Sequence, residues 1–286
     1  MLMDAAERLR PPAALQQHYC AGMPQLGLYG LSENWLLKEC GHLHWLAIAR
    51  AQGMQRPAFA DAAGHRSYAA LTAVHLREAQ LDALGENAPF SLSVRATSPG
   101  RARHFSAQTL RSGTLRAARV ELLSAFVRRD GGSNRDIVRA PVEGTGNGDP
   151  ALADAALSLQ ARARLFRSGE GVARMGLQPV AHGEALCAAA FTPCPHNDFN
   201  GAGLLYFASF QALADRAELA CFGLRPAITS ERELYFYGNI DPGETVRVEL
   251  LAAREDAADL AHWWRVRRNA DGVRIADVLT RKRRLV

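Results

Sequence analysis

Residues 197–201 (Asn-Asp-Phe-Asn-Gly) are the part of the sequence best suited to carry out chemistry. They come directly before an apolar segment, so we predict that they form the start of a helix running from Gly201 to about residue 220. The unbonded backbone N–H groups of a first helical turn stabilise an oxygen atom that gains negative charge during a reaction. Gly201 would let a substrate approach the backbone closely. Helix capping alone also explains the polar members of the stretch, which are Asn197, Asp198 and Asn200.

A second stretch of the same design occurs in the first half of the chain. Ser32 is placed to cap a helix, and Glu33 in the first turn is favourable to the helix dipole. Gly41 inside this helix costs about 1 kcal/mol relative to alanine, which predicts close approach to a packed neighbour. The buried face of the helix is predicted from apolar residues at helical spacing, which are Leu36, Leu37, Cys40, Leu43 and Ala47.

Segments typical of β-strands follow each of these helices. Turn residues such as those at 98–100 (Ser-Pro-Gly), 130–132 (Asp-Gly-Gly) and 241–243 (Asp-Pro-Gly) separate them, and strands with short connections form an antiparallel sheet. We therefore predict two copies of one helix-plus-sheet unit, with a single site at the seam between them. The predicted strands span residues 67–76, 90–97, 104–110, 116–127, 233–240, 245–252, 261–268 and 273–281.

The two units are predicted at residues 1–140 and 171–286, joined by a linker and a bridging helix at 141–170. The boundary is based on residues 143–149, a polar and glycine-rich run that offers nothing to bury. Residues 1–25 contain several prolines and are expected to form a lead-in with a short helix at most.

The composition predicts a globular protein, because 48% of the residues are hydrophobic and 22% are charged. No run approaches the roughly 18 apolar residues of a membrane span, and the N-terminus lacks the apolar core of a signal peptide, so we expect a cytoplasmic protein without membrane contact. The net charge of +5 comes without a recognised nucleic-acid-binding module, so nucleic acid is not an expected partner. The basic tail at 281–284 fits a phosphate or acidic-partner site, or a solvated strand end.

Metal binding is not expected from the cysteine and histidine pattern. The five cysteines form no CxxC pair and have an odd count, which favours buried thiols over disulfides or a metal site. His42 and His44 are two residues apart and do not share a helix face, and we expect His44 and Trp45 to be structural. No G-x-S-x-G motif indicates a serine hydrolase.

A long apolar helix followed by an antiparallel sheet is an α+β arrangement, and a buried helix wrapped by a curved sheet resembles the hot-dog fold. Two such units make the predicted fold a double hot dog. Residues 30–45 (GLSENWLLKECGHLHW) and 197–208 (NDFNGAGLLYFA) resemble a family of polyketide-associated double hot-dog proteins, typified by the bifunctional acyltransferase/decarboxylase of leinamycin biosynthesis. The resemblance covers most of the chain.

The resemblance implies an enzyme that acts on thioesters of coenzyme A or of an acyl carrier protein, with the thioester near the start of a hot-dog helix. The favoured reaction is decarboxylation of a malonyl-type group, transfer of the acyl group to a carrier protein, or both. Coenzyme A or phosphopantetheine then carries the substrate, and no other cofactor is implied.

The resemblance also implies an active-site tyrosine on the strand after the first helix, a position matched by Tyr68. A phenol donates a hydrogen bond more easily than it acts as a nucleophile, and simple packing within a strand is the structural alternative. The family pattern has an acidic residue where His42 stands, so no catalytic role transfers to that position. The predicted catalytic residues are Tyr68, Asp198 and Asn197, and the predicted substrate-binding residues are Asn200, Gly201, Ser32 and Glu33.

Two other functions are alternatives. Asp198, three residues before Gly201, resembles the acid of hot-dog thioesterases that activates water or attacks the thioester, which favours a thioesterase or a dehydratase. The second alternative is a non-catalytic protein that binds acyl-thioesters and supports assembly with carrier proteins. A homodimer is a further expectation from the sequence.

Overall fold

The computed structural model describes residues 15–98, 103–142, 149–169, 173–179 and 185–285. The first part of the predicted lead-in, a turn predicted near residues 98–100 and most of the predicted boundary at 143–149 lie outside the described residues. Within the described part, no helix combines the length and apolar character that crossing a membrane needs.

The first half of the chain contains one long helix and most of one antiparallel sheet. Its elements are β1 (Leu15–Cys20), β2 (Leu26–Gly27), β3 (Gly30–Leu31), α1 (Glu33–Ala51), β4 (Tyr68–Arg77), β5 (Pro89–Thr97), β6 (Arg103–Ser112), β7 (Leu115–Arg129) and β8 (Ile137–Arg139).

The second half begins with a helix that corresponds to the predicted bridge, and then repeats the order of helix and strands. Its elements are α2 (Ala153–Ser168), β9 (Cys187–Phe191), α3 (Pro195–Asp198), α4 (Phe207–Phe222), β10 (Ala227–Phe236), β11 (Val246–Glu255), β12 (Asp259–Arg268) and β13 (Arg274–Arg284).

The two halves share one continuous antiparallel sheet. Its strand order is β1-β5-β6-β7-β4-β10-β13-β12-β11-β9, with β8 beside β7, while β2 and β3 form a small separate pair. In the centre, β4 and β10 pair from Leu76 with Arg232 to Ala73 with Tyr235. Each central strand also has a register irregularity against its other neighbour. In β4, paired with β7, it lies between Leu71 and Ala73, and in β10, paired with β13, it lies between Thr229 and Glu231. This correspondence is what a repeated unit predicts.

Three layers result, because helices cover both faces of the sheet. On one face α1 and α4 pack side by side, and Asn34 of α1 donates to the Ala208 carbonyl oxygen at 3.0 Å. On the other face α2 crosses the central strands, where Phe166 stacks on Tyr235 with ring centroids 4.1 Å apart. The bridging helix is therefore part of a second core that spans both halves of the sheet.

Helix α1 forms as its sequence predicts. The Ser32 hydroxyl accepts a hydrogen bond from the Trp35 N–H at 3.3 Å, which caps the first turn. The predicted apolar face is buried against the sheet, and its members are Leu36, Leu37, Cys40, Leu43 and Ala47.

The predicted start of the second helix is wrong by about two turns. Helix α4 begins at Phe207, not at Gly201. The reason lies in Asn200, whose side-chain oxygen accepts hydrogen bonds from the N–H groups of Ala202 at 3.0 Å and Leu204 at 3.1 Å. Such side-chain bonds compete with helix formation and hold residues 199–205 in a turn.

The lead-in and one strand also differ from the predictions. Residues predicted as lead-in form β1, which pairs with β5 at the edge of the sheet. The strand predicted at 233–240 is β10, which begins at Ala227 and ends at Phe236. Its early start comes from pairing with the polar tail of β13, a long-range contact that local pattern does not reveal.

The expectation that the cysteines are unpaired thiols is wrong for two of them. Cys187 of β9 and Cys221 of α4 form a disulfide, with Cα atoms 6.2 Å apart. The other three are thiols, of which Cys40 is buried and Cys20 and Cys194 are exposed. The two bonded cysteines are 34 residues apart in sequence and lack any short motif, so only the packing of β9 beside α4 brings them together.

Candidate active site

A cavity of about 890 Å³ opens where β4 and β10 separate in the middle of the sheet. The two strands pair only through residues 73–76 and 232–235. Past Ala73 and Tyr235 they diverge, and residues 68–72 on one side and 236–239 on the other line the cavity. The cavity therefore lies at the seam between the two halves.

The inner wall of the cavity is apolar and consists of α1 and the start of α4. Gly41 and Trp45 of α1 line it together with Phe207 and Phe210 of α4. A Cβ atom on Gly41 would lie 2.7 Å from Cε1 of Phe207, so the helices approach very closely at this point. The close approach predicted for Gly41 is confirmed.

The start of α4 lies at the cavity wall, since Tyr206 and Phe207 both line it. Tyr206 is the N-cap residue, and no side chain caps this helix. The Phe207 N–H and the positive end of the helix dipole are therefore close to the cavity, whereas the Ser209 N–H donates to the Tyr206 carbonyl oxygen at 2.9 Å. This is the chemistry predicted for residues 197–201, but the tertiary structure assigns it to a later part of the chain.

Tyr206 adds a phenol to the same wall. Its pKa is raised to about 12, mainly by burial and then by the negative charge of Glu39, so the hydroxyl keeps its proton at neutral pH. A protonated phenol donates a hydrogen bond. In the sequence pattern Tyr206 is one of the apolar residues of a buried helix. The signal that was missed is its hydroxyl, which needs a hydrogen-bond partner or a ligand when the ring is buried.

Tyr68, the first residue of β4, also lines the cavity. Its ring lies 6.0 Å from that of Trp45, and the Arg66 guanidinium lies 5.6 Å from the ring centroid. Among the described residues, no hydrogen-bond partner of the Tyr68 hydroxyl is found. The phenol is therefore positioned by its ring contacts, and its hydroxyl is available to a ligand.

Asn200 and Gly201 also line the cavity. The side-chain oxygen of Asn200 is held by the turn that it forms, whereas its amide nitrogen donates to no described residue. The amide N–H₂ of Asn200 is thus a further donor available to a ligand. Three of the predicted site residues, Tyr68, Asn200 and Gly201, are brought together around one cavity.

Asn197 and Asp198 are not among the residues that line the cavity. The Asp198 carboxylate accepts a hydrogen bond from the Cys194 N–H at 2.8 Å, and its backbone carbonyl oxygen accepts from Tyr206 at 2.8 Å. Asn197 is exposed on the short helix α3. The structure therefore gives Asp198 the position of a local cap that supports the turn before α4.

Ser32 and Glu33 lie at the far end of α1, also outside the cavity lining. Glu33 forms an ion pair with Arg232 at 2.5 Å, and the Arg232 side chain is fully buried. Arg232 also donates to Asp215 of α4 at 2.8 Å. The first turn of α1 thus interacts with protein charges, whereas the first turn of α4 faces a cavity.

The corresponding gap at the other end of the β4–β10 pair is closed by the chain itself. The N–H of Ala79 donates to the carbonyl oxygen of Ser230 at 3.0 Å, directly after β4. Leu81, which follows β4, packs tightly against Gly30, since a Cβ atom on Gly30 would overlap the Leu81 carbonyl oxygen. The two halves have diverged, and the large cavity lies on one side of the sheet centre.

Two histidines lie on the α1 side of the cavity. His42 is exposed and lines it. His44 is buried, and its ring nitrogens lie 2.7 Å from the Ser106 hydroxyl and 2.8 Å from the Ser124 hydroxyl. Burial lowers the pKa of His44 to about 3, so the ring is neutral and held by its two serine partners.

The charge lining the cavity is entirely positive among the described residues. No aspartate or glutamate belongs to the described lining. The seven arginines that do are Arg66, Arg103, Arg135, Arg139, Arg164, Arg167 and Arg268. An anionic ligand is the chemistry that this balance favours.

The basic tail predicted as a phosphate site or a solvated end is used within the fold. Each of its four residues forms an ion pair with a carboxylate of another element. The pairs are Arg281 with Glu231, Lys282 with Glu218, Arg283 with Asp82 and Arg284 with Glu255.

One group of described side chains has the spacing of metal ligands, namely His75, Glu231 and Glu233 on the sheet face below α2. Arginines already neutralise its carboxylates. Arg174 lies 2.5 Å from Glu233, and Arg281 lies 3.3 Å from Glu231. Arg162 of α2 lies 3.7 Å from Glu233, so the group is an ion-pair network that joins α2 and the sheet, and it lies outside the cavity lining.

No protein-family model and no curated protein sequence matches the chain. Solved structures do. A protein from Lactobacillus plantarum described as an oleoyl thioesterase is 12% identical, with a TM-score of 0.66 and 96% of each chain covered.

Two further thioesterases are similar over nearly the whole chain. The 12:0-ACP thioesterase from Umbellularia californica is 10% identical, with a TM-score of 0.63 and 94% of each chain covered. An acyl-ACP thioesterase from Bacteroides thetaiotaomicron is 11% identical, with a TM-score of 0.62, covering 94% of this chain and 97% of its own. At such identities the likeness concerns the fold. Together with the repeated unit, the shared sheet and the paired central helices, it shows that this chain has the double hot-dog fold.

Proposed function

We propose that this protein is an enzyme that processes acyl-thioesters, and that it decarboxylates a malonyl-type acyl group, transfers the acyl group to a carrier protein, or both. The observation that carries the proposal is a cavity with hydrogen-bond donors and arginines around its wall and no carboxylate among its described lining residues. Decarboxylation needs donors for the developing charge, and it needs no carboxylate to activate water.

The donors would act on the thioester oxygen. When the bond between the α-carbon and the carboxylate breaks, carbon dioxide leaves and its electron pair forms an enolate, with negative charge on the thioester oxygen. The Phe207 N–H at the start of α4 and the Tyr206 hydroxyl would stabilise that oxygen, since both residues line the cavity. A proton from solvent then completes the product at the α-carbon.

Tyr68 would hold the carboxylate or the enolate from the start of β4. Its hydroxyl has no described protein partner, so hydrogen bonding to a substrate costs no existing bond. An apolar surrounding, here Trp45, favours loss of the carboxylate charge as neutral carbon dioxide. Tyr68 is therefore assigned as a donor, and Asn200 as a second donor on the neighbouring turn.

A thioesterase is the second candidate, favoured by the structural similarity to proteins described as thioesterases. Asp198 would not serve as its acid, because its carboxylate bonds the Cys194 N–H away from the cavity lining. His42, which lines the cavity, is the side chain that could activate water in such a reaction. A dehydratase or a non-catalytic acyl-thioester-binding protein stays a further alternative.

Incubation with malonyl-CoA, methylmalonyl-CoA and propionyl-CoA, followed by mass spectrometry, separates these functions. We expect the first two to lose carbon dioxide and keep the thioester, and propionyl-CoA to stay intact unless a carrier protein is supplied to accept the acyl group. Release of free acid from all three, abolished in His42→Gln, would instead establish the thioesterase. Unchanged substrates that stay bound would establish a binding protein.

A further inference from the structure

Four of the arginines around the cavity converge from three separate elements. Arg103 begins β6, Arg139 ends β8, and Arg164 and Arg167 belong to α2. On α2, residues three and four apart share a face, and Gln160, Ala163, Arg164 and Arg167 all line the cavity. One face of the bridging helix is thus directed at the cavity, on the side of the sheet opposite α1 and α4.

Their charges repel one another. All four side chains line the same cavity, and the pKa of Arg103 is lowered by burial and then by the charges of Arg164, Arg139 and Arg167. None of the four forms an ion pair with a carboxylate in the part of the chain that the structure describes. Arg103 is half-buried, whereas Arg139, Arg164 and Arg167 are exposed.

Such a cluster suits a particular class of ligand. Guanidinium groups bind phosphate oxygens in a bidentate geometry, and several of them around one point favour a phosphate or a diphosphate over a single carboxylate. Bound phosphate would also remove the repulsion among the arginines.

We propose that Arg103, Arg139, Arg164 and Arg167 form a phosphate site that holds the carrier end of the thioester substrate. The inference rests on the proposed function, because the same cavity continues from these arginines to Tyr68 and the start of α4. A substrate whose phosphates lie under α2 extends its thioester through the gap between β4 and β10. Two carriers have this chemistry: coenzyme A, with its adenosine phosphates, and the phosphopantetheine arm of a carrier protein.

Binding without turnover tests the site. Isothermal titration calorimetry would use CoA, phosphopantetheine and pantetheine, which has no phosphate. In Arg164→Gln/Arg167→Gln we expect CoA affinity to fall by at least about 10-fold, and pantetheine affinity to stay unchanged. The matched control is Arg247→Gln/Arg254→Gln, since both arginines are partly exposed on β11 outside the cavity. The control should bind CoA as the wild type does.

The result also identifies the carrier. If CoA and phosphopantetheine lose affinity equally, the site holds the phosphate common to both carriers; if CoA alone loses affinity, it holds the adenosine phosphates. Wild-type CoA affinity in the double variant, or an equal loss for pantetheine, would overturn the site.

Measurements of melting temperature and of malonyl-CoA turnover distinguish failure of the phosphate site from failure of the proposed enzyme function. The double variant removes repulsion but also the hydrogen bond from Arg167 to the Phe236 carbonyl oxygen at 3.0 Å. Its melting temperature should therefore stay close to that of the wild type, which shows that lost affinity is not misfolding. If CoA binding depends on Arg164 and Arg167 but malonyl-CoA does not react, the phosphate site stands and the decarboxylase is rejected. If the protein decarboxylates malonyl-CoA but its affinity for CoA does not depend on Arg164 and Arg167, the proposed enzyme function stands and the phosphate site is rejected.

Discussion

Gly41 of α1 and Phe207 of α4 are in direct contact across the apolar wall of the cavity. A Cβ atom on Gly41 would lie 2.7 Å from Cε1 and 2.9 Å from Cζ of Phe207, and 3.1 Å from the Tyr206 hydroxyl oxygen. The absence of a side chain at position 41 therefore sets how closely the two central helices approach. It also sets where Phe207 and the phenol of Tyr206 stand relative to the cavity.

Gly41→Ala should destabilise the protein, although alanine is the better helix former. The propensity gain is about 1 kcal/mol, but overpacking against the Phe207 ring costs typically 1–3 kcal/mol, so we expect a net loss. Urea denaturation measures the change. Gly85→Ala is the control, because its Cβ would meet nothing within 4 Å. Equal or higher stability of Gly41→Ala would show that the helices can separate freely.

Tyr68→Phe and Tyr206→Phe should each slow decarboxylation while leaving binding of CoA nearly unchanged. Loss of one donor to a developing oxyanion costs about 100-fold or more in rate, since the donor acts on charge that exists only in the transition state. Initial rates with malonyl-CoA measure the effect. Tyr29→Phe is a control outside the cavity lining. Wild-type rates in Tyr68→Phe would remove Tyr68 from the mechanism.

His44 should make the folded state less stable as the pH falls. Its folded pKa is lowered to about 3, so between about pH 6.5 and pH 3 the unfolded chain binds a proton that the folded protein does not. The free energy of unfolding then rises with pH in this window, by up to about 1.4 kcal/mol per pH unit from this residue.

The slope, and not the absolute stability, is the quantity to measure. Urea denaturation at intervals from pH 4 to pH 7 should give a smaller slope for His44→Asn than for the wild type, even though the variant also loses the Ser106 and Ser124 contacts. NMR of the imidazole should show a neutral ring at pH 5. A protonated His44 at that pH would contradict the expectation.

Arg232→Met should be strongly destabilising, because it leaves Glu33 and Asp215 without their buried partner. Removing one member of a buried ion pair costs about 3–5 kcal/mol. The double variant Arg232→Met/Glu33→Gln should recover part of the loss, since one unpaired charge is then also removed. Arg247→Met, at an exposed pair on β11, should change stability by less than about 1 kcal/mol.

Helices and strands could be predicted from the sequence where a single short-range rule, such as capping or apolar spacing, determines them. Ser32 caps α1 as predicted, and the apolar face of that helix is buried as predicted. The repeated order of helix and strands was sufficient to predict the double hot-dog fold. The start of α4 was predicted wrongly because Asn200 fits both a helix cap and the turn that it actually stabilises.

The candidate site was predictable in part. Tyr68, Asn200 and Gly201 line the cavity, whereas Asn197, Asp198, Ser32 and Glu33 do not. Tyr206 and the arginines of α2 were missed, because an aromatic residue in an apolar segment and arginines on an amphipathic helix look ordinary in sequence.

The sequence by itself determined the repeated unit, the course of α1, most strands and the close contact at Gly41, because periodicity, capping and turn residues act over a few positions. Only the tertiary structure decided which helix start faces a cavity. At α1, Arg232 comes from a strand nearly 200 residues away and pairs with Glu33; at α4, the divergence of β4 and β10 leaves space. Long-range pairing of charges and strands, which no local pattern encodes, placed the site on one side of the seam.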